Sequence, residues 1–309
     1  MMSDWKPDIC IYHGGCDDGF GAAWAVWRKW PDIEFVPGYH GKPIFSARTQ
    51  FAGKHLLFVD FSLKREAMAA LVSGDLEGAN AASIVVIDHH KTAEAELEPF
   101  IHAPALGISL SEIDVPACFG KLGELERLPI LAFFDMQSSG AVMAWDFCHG
   151  IPRNDPPPTM LSLIQDRDLW KFTYGDRTRQ FSAALRTYPM DFETWDRIAN
   201  DPDALVAEGA LVLRAHRANI DKFMLDAFTE TIGGHEVPCC NVPYHYASDT
   251  AHELLRRYPN AAFTASWFKR SDGLRQFSLR SEDRRLDVSE IAKALGGGGH
   301  RNAAGFQIA

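Results

Sequence analysis

The sequence predicts an α/β protein with a parallel-sheet domain first, then a helical linker, then a smaller α+β domain. Three observations carry this. Short apolar runs alternate with helical patterns through residues 1–90, the rhythm of βαβ units around a parallel sheet. Residues 190–228 are rich in Ala, Leu, Asp and Arg and show no strand pattern. After them strand-like runs return, and the chain closes on the glycine-rich stretch GGGGHRNAAGF at 296–306.

The elements follow in order. ICIYH (9–13) reads as a short buried strand with a Gly-rich turn behind it. GAAWAVWRKW (21–30) has helical spacing and stops before Pro31, which cannot continue a helix. HLLFVDF (55–61) is a second apolar run, followed by the helical LKREAMAALV (63–72). ASIVVID (82–88) is a third, followed by HHKTAEAELE (89–98). SSGAVMAWDFCHG (138–150) opens on Ser138 and Ser139 and ends on a Gly, the punctuation of a capped helix. PRNDPPP (152–158) is a loop by composition, and TMLSLIQDRDLWKF (159–172) is a helix running into a turn. Near the end, EVPCCNV (236–242), AAFTASWFK (261–269) and RQFSLRS (275–281) read as strands. DTAHELLRRY (249–258) and DVSEIAKAL (287–295) read as helices. The expected domains are 1–189, a linker at 190–229, and 230–309.

Composition narrows the function classes. With 309 residues, 46% hydrophobic and 23% charged, the chain can bury a sizeable core without disulfide staples. No apolar run approaches the ~20 residues of a membrane span. Asp4, Lys6 and Asp8 stand where a signal peptide needs an apolar stretch, which predicts a cytoplasmic protein. A net charge of −10 argues against a protein that coats long nucleic acid, a task for excess Lys and Arg. It leaves room for carboxylates gathered around metal ions. Cys10, Cys16, Cys118, Cys148, Cys239 and Cys240 form no CxxC pair, so they are expected to be free thiols.

Ligands of open parallel sheets bind at the carboxyl ends of the strands. There the first run delivers His13, Cys16, Asp17 and Asp18, the second Asp60, and the third Asp88, His89 and His90. A lone Asp60 would read as a helix cap. Three runs ending alike point to a metal cluster, and carboxylate with imidazole suits Mn²⁺, Mg²⁺ or Fe²⁺. Asp135 is expected to partner the helix that starts near Ser138. Trp24, Trp27 and Trp30 follow helical spacing and are expected in the core, as is Trp170. GGGGH lacks the Lys-Ser/Thr of a P-loop. Its glycines suit either a tight turn or a backbone cradle for a phosphate or base.

HGGCDDG (13–19), FVDFS (58–62) and VIDHHK (86–91) resemble three motifs of the DHH phosphoesterase superfamily. GGGGHRNAAGF resembles the glycine-rich motif of the DHHA1 domain that accompanies it. The superfamily includes RecJ-type exonucleases, nano-RNases, nucleoside-bisphosphate phosphatases, cyclic-dinucleotide phosphodiesterases and, more distantly, polyphosphatases. The resemblance implies two divalent ions, Mn²⁺ first and Mg²⁺ or Fe²⁺ next. It makes Asp60 their bridging carboxylate and His13, Asp18 and His89 ligands. His90 then faces the substrate, stabilising charge on phosphate oxygens. Where the family motif carries its first Asp, this chain has Cys16. Either Cys16 ligates, or Asp17 takes the place, or one ion is held more weakly; since a free cysteine is more often packed than reactive, the first reading of Cys16 itself is a small buried residue. QDRDLW (165–170) offers Asp166 and Asp168 for the fourth motif, Asp168 resembling the family position more closely. The alternative for the other Asp is a bridge to Arg167 or Arg153, or simple solvation, and Asp135 is a third candidate for this motif beside its expected role at the helix start. The resemblance assigns Arg280, Gly297, Gly298, Gly299, His300 and Asn302 to substrate binding.

The activity so implied is metal-dependent hydrolysis of phosphodiester or phosphomonoester bonds in short oligonucleotides or nucleotides, by attack of a metal-activated hydroxide. Two alternatives stand beside it. One is a pyrophosphatase or polyphosphatase. The other is a nucleotide-binding sensor with a degraded metal site, motivated by Cys16.

Overall fold

The computed structural model of the chain describes residues 5–42, 44, 51–74, 79–102, 109–151 and 156–309. Asp4, Arg153 and most of the 152–158 loop lie outside the described residues. The chain divides into two compact units, Met1–Ala210 and Leu211–Ala309. The division falls inside the stretch read from sequence as a linker.

In the first unit β1 (Ile9–His13), α1 (Asp17–Lys29), β2 (Glu34–Gly38), β3 (His55–Val59), α2 (Arg65–Ser73) and β4 (Ser83–Asp88) follow one another. Then come α3 (Lys91–Glu96), α4 (Val115–Glu124), β5 (Ile130–Phe134), α5 (Gly140–His149), α6 (Thr159–Asp168), α7 (Asp176–Leu185) and α8 (Phe192–Asn200). The strands form one parallel sheet in the order β2-β1-β3-β4-β5. The chain leaves β1 for β2 on one side and resumes at β3 on the other, which makes the gap between β1 and β3 the switch point.

Both faces of this sheet are covered, as a parallel sheet requires. On β3, Leu57 and Val59 pack on one face with Trp24, Ala141 and Met143, while Leu56 and Phe58 pack on the other with Met68 and Leu71. This period-two division is the reason a continuous run such as HLLFV is apolar throughout. Trp24 is buried, and Trp27 and Trp30 pack half-buried against the same core, as expected from their spacing. Strands β2 and β5 and helices α4 and α7 go unmarked by sequence patterning. β2 carries Pro37 and half-exposed side chains at the sheet edge, where proline is tolerated.

The division falls within α9 (Pro202–Phe223), and the second unit continues with β6 (Phe228–Ile232), β7 (His235–Asn241), α10 (Tyr244–Arg257), β8 (Thr264–Lys269) and β9 (Arg275–Arg280). α11 (Val288–Ala294), β10 (Gly298–His300) and β11 (Ala303–Ile308) complete it. The strand order is β10-β11-β9-β8-β7-β6, with β7 and β8 parallel and the other neighbours antiparallel. The glycine-rich stretch thus forms both arms of a hairpin, β10 and most of β11. A Cβ on Gly297 would lie 2.0 Å from the Gly305 carbonyl, and one on Gly299 2.6 Å from the Ala303 carbonyl. The hairpin alone requires glycine at these two positions.

All six cysteines are free thiols. Among the described residues no helix is long and apolar enough to cross a membrane.

Candidate metal centre

The carboxyl ends of β1, β3 and β4 meet beside the switch point and bring His13, Asp60, Asp88, His89 and His90 together. Asp60 directly follows β3 with φ at +52°, a left-handed conformation that Asp and Asn tolerate better than most side chains. Its carboxylate is 1% exposed and forms the hub. Oδ2 lies 3.5 Å from His13 Nδ1, and Oδ1 lies 3.1 Å from His89 Nε2. His89 Nε2 is also 3.4 Å from Asp18 Oδ2 and 3.5 Å from Asp168 Oδ2. One imidazole nitrogen therefore faces three carboxylates drawn from α1, the β3 terminus and the end of α6.

Each of these groups is held by the fold. Asp18 sits in the first turn of α1 and accepts from the N-terminal amides of α5, Gly140 N–H at 2.7 Å and Ala141 N–H at 3.1 Å. The close approach needs glycine. A Cβ on Gly140 would meet Asp60 Cβ at 2.5 Å and Asp18 Oδ2 at 3.0 Å. Asp88 accepts from the His89 and His90 amides at 2.7 and 3.2 Å and from His90 Nδ1 at 2.7 Å. This carboxylate fixes Nδ1 as the nitrogen of His90 that is turned to Asp88.

The electrostatics favour positive charge at the hub. Burial works against charge on Asp60, yet His13 and His89 hold its carboxyl well below the usual range. Burial likewise opposes a charged His89, and Asp18 and Asp60 raise it well above an ordinary histidine. His90 is lifted to about 9 against its burial, chiefly by the Asp88 charge. Asp168 is pushed up to about 7 by burial and by the charge of Asp18.

The remaining predicted residues fall in different places. Cys16 immediately precedes α1 and joins His13 and Asp60 in one cluster of donor atoms. Burial, then Asp60, Asp168 and Asp18, push its thiol well above the usual cysteine value. Asp17 turns to Arg186, whose Nε lies 3.3 Å away. Asp166 also points elsewhere. It accepts from the Thr173 amide at 2.7 Å, the Tyr174 amide at 3.2 Å and the Thr178 hydroxyl. None of Asp17, Asp166 and Asp168 belongs to a donor cluster among the described residues, although Asp168 alone of the three approaches His89. Asp135 accepts from the Gln137 amide and the Ser138 hydroxyl, in the turn before α5. In the second unit Arg280 donates to Ser248 Oγ and to the Leu279 carbonyl, both at 2.7 Å. Asn302 donates to Asp283 at 2.6 Å. Gly298 and His300 lie on β10, and Gly297 and Gly299 are held by the hairpin.

No family model matches the chain. An uncharacterized protein of Acanthamoeba polyphaga mimivirus, R106, is 26% identical over 322 residues, covering 97% of this chain and 67% of that one. Among solved structures, RecJ of Thermus thermophilus in complex with Mn²⁺ aligns with a TM-score of 0.46 at 14% identity. That alignment covers 97% of this chain and 49% of RecJ, so the chain spans about half its length. PggH of Vibrio cholerae, a pGpG-specific phosphodiesterase, aligns with a TM-score of 0.44 at 12% identity, over 98% of this chain and 94% of that one.

The donor set itself fits divalent cations. Asp60 Oδ2 and His13 Nδ1 are buried and make no hydrogen bond among the described residues. Three donor clusters contain Asp60, namely His13–Cys16–Asp60, Asp18–Asp60–His89 and Asp60–Asp88–His90, each with its donor atoms within 4.8 Å of one another. Buried carboxylates gathered this closely need compensating positive charge.

Sequence reasoning named the cluster but passed over three contributors. Asp88 entered it only as part of the triplet, not as the group that orients His90. Gly140 stands directly after the Ser138-Ser139 cap signal, which hid its role against Asp18 and Asp60. His40 follows the unmarked strand β2, its ring 5.3 Å from that of His13 and 5.0 Å from that of Phe61.

Proposed function

We propose that this chain is a metal-dependent phosphohydrolase acting on phosphodiester or phosphomonoester bonds of nucleotides or short oligonucleotides. One observation carries the reading: several clusters of imidazole and carboxylate donors, His13–Cys16–Asp60 and Asp18–Asp60–His89 among them, share the buried carboxylate of Asp60. In this reading His13 and Asp60 hold one divalent ion, and Asp18, Asp60, His89 and Asp168 hold another. Mn²⁺ is the first choice, since carboxylate with imidazole suits it. When bound, such ions polarise phosphoryl oxygens and lower the pKa of water, which supplies a nucleophile at neutral pH.

The chain's own residues do the rest. Asp18, anchored on the α5 amides, and Asp60, fixed by its backbone, keep the donors in place before substrate arrives. His90 presents Nε2 to a phosphate oxygen while Asp88 holds its other nitrogen. An N–H donor placed there stabilises negative charge building on that oxygen. In the second unit the Arg280 guanidinium, braced by Ser248, offers a planar fork suited to a terminal phosphate.

The test is a substrate panel with Mn²⁺, with and without EDTA. It holds 5′-phosphorylated di- to pentaribonucleotides, a 3′,5′-bisphosphate, cyclic dinucleotides, pyrophosphate and polyphosphate. We expect metal-dependent turnover of the nucleotide substrates. Turnover of pyrophosphate or polyphosphate alone would replace the substrate class. No turnover by folded, metal-bound protein would replace the reading with a nucleotide sensor.

A further inference from the structure

The first cluster differs from the second in one respect: it contains sulfur. We infer that Cys16 is a thiolate ligand of the ion held by His13 and Asp60, which gives the centre one nitrogen–sulfur–oxygen site beside one nitrogen–oxygen site. The inference rests on the metal-dependent reading above and sharpens it.

Three observations carry it. The sulfur of Cys16, a ring nitrogen of His13 and a carboxylate oxygen of Asp60 lie within 4.8 Å of one another. His13 Nδ1 and Asp60 Oδ2 are buried, lie 3.5 Å apart and make no hydrogen bond among the described residues, an arrangement that a shared ion would complete. Asp60 is 1% exposed, so this acceptor is cut off from solvent. The third observation is the local sequence. The other carboxylate that could serve, Asp17, is turned to Arg186. Asp18 is occupied by the α5 amides and lies beside His89. The sulfur is therefore the donor that the β1–α1 turn supplies to His13 and Asp60.

The chemistry balances simply. The sulfur–metal bond forms as the S–H bond breaks, and the proton leaves to solvent; the ion's charge replaces the proton at sulfur. No oxidant or reductant is involved. A thiolate with imidazole and carboxylate shifts the preference of that site from Mg²⁺ and Mn²⁺ toward Fe²⁺, Co²⁺ and Zn²⁺. The Asp18–Asp60–His89 site keeps its taste for harder ions. The centre is thus built to discriminate between its two positions.

Cobalt and zinc read this out without reference to activity. Full-length protein is loaded with Co²⁺ and its near-ultraviolet thiolate-to-cobalt charge-transfer absorption is recorded beside the bound-metal stoichiometry. Wild type should show the band, and Cys16→Ser should lose it while still binding cobalt through Asp18 and His89. Cys16→Asp should bind two ions without the band. Zinc-edge X-ray absorption of the wild type should show a sulfur scatterer at ~2.3 Å, a measurement that needs no variant to fold. Cobalt binding with no band, a band that survives Cys16→Ser, or a purely nitrogen and oxygen zinc shell would overturn the assignment and leave the metal-dependent reading standing. Failure of the wild type to bind any divalent ion would overturn both.

Discussion

Gly140 and Asp18 constrain each other across a sequence separation of 122 residues. The Gly140 amide donates to Asp18 Oδ2 at 2.7 Å, and a Cβ on Gly140 would lie 3.0 Å from the same oxygen and 2.5 Å from Asp60 Cβ. The first helical residue of α5 is thus a wall of the donor cluster. We expect Gly140→Ala to displace Asp60 or Asp18 and lower metal affinity by about 10–100-fold, as loss of a supporting contact does at metal sites. The measurement is bound Mn²⁺ by equilibrium dialysis. Alanine is a better helix former than glycine, so the variant should stay folded. Unchanged affinity would show that the cluster yields without cost.

Asp88 is the next link. It holds His90 through Nδ1 at 2.7 Å. Asp88→Asn keeps an acceptor for the His89 and His90 amides and removes the charge that favours His90 as an imidazolium. We expect kcat to fall by about 10–100-fold with metal content intact. If Asp88 acts through His90, the double variant Asp88→Asn/His90→Ala will be no slower than His90→Ala alone. Additive losses would assign Asp88 a separate role.

How far the sequence reached depends on what kind of fact was wanted. β1, β3 and β4 were legible because a strand buried on both faces is a continuous apolar run, and their carboxyl ends placed His13, Asp60 and His89 on one sheet edge. The choice between Asp166 and Asp168 was not legible from pattern alone. The two lie two residues apart, and only the turn at 169–174 decides which faces Asp18 and which serves the backbone. Gly297 and Gly299 misled in another way. A glycine required by a neighbouring strand and one required by a phosphate look alike in sequence. β2 was hidden because Pro37 and an exposed face break the strand signal at a sheet edge.

Asp166 itself yields a stability prediction. It accepts from the Thr173 and Tyr174 amides and the Thr178 hydroxyl and ties the turn after α6 to α7. Burial opposes its charge, but the bonds from Thr178, Thr173 and Tyr174 win and lower its pKa. A carboxyl lowered in the folded state contributes stability above its unfolded pKa, near ~3.9. That contribution is lost as pH falls through the folded value. Asp166→Ala should cost about 3 kcal/mol at pH 7, since several donors lose a charged acceptor together. The deficit, followed by denaturant melts, should narrow below about pH 4. A deficit independent of pH would mean that the side chain matters for packing alone.

Asp60 permits a separation of backbone from ligand chemistry. Its φ of +52° is a conformation Asn and Asp adopt readily and Ala resists, at a cost of roughly 1–2 kcal/mol. Asp60→Asn keeps the backbone preference and removes the charge that both donor clusters share. Asp60→Ala removes both. An ion bound to the folded chain at about a hundred times its Kd adds about 2.7 kcal/mol of stability. In a unit of this size that raises Tm by roughly 5–11 °C. Wild type should therefore melt higher with Mn²⁺ than with EDTA. Both variants should lose this metal-dependent rise, because the carboxylate belongs to each cluster. Under EDTA they should differ from one another, the Ala variant melting lower by the backbone term. A Mn²⁺-dependent rise that persists in Asp60→Asn would place the ions on other donors and remove Asp60 from the hub.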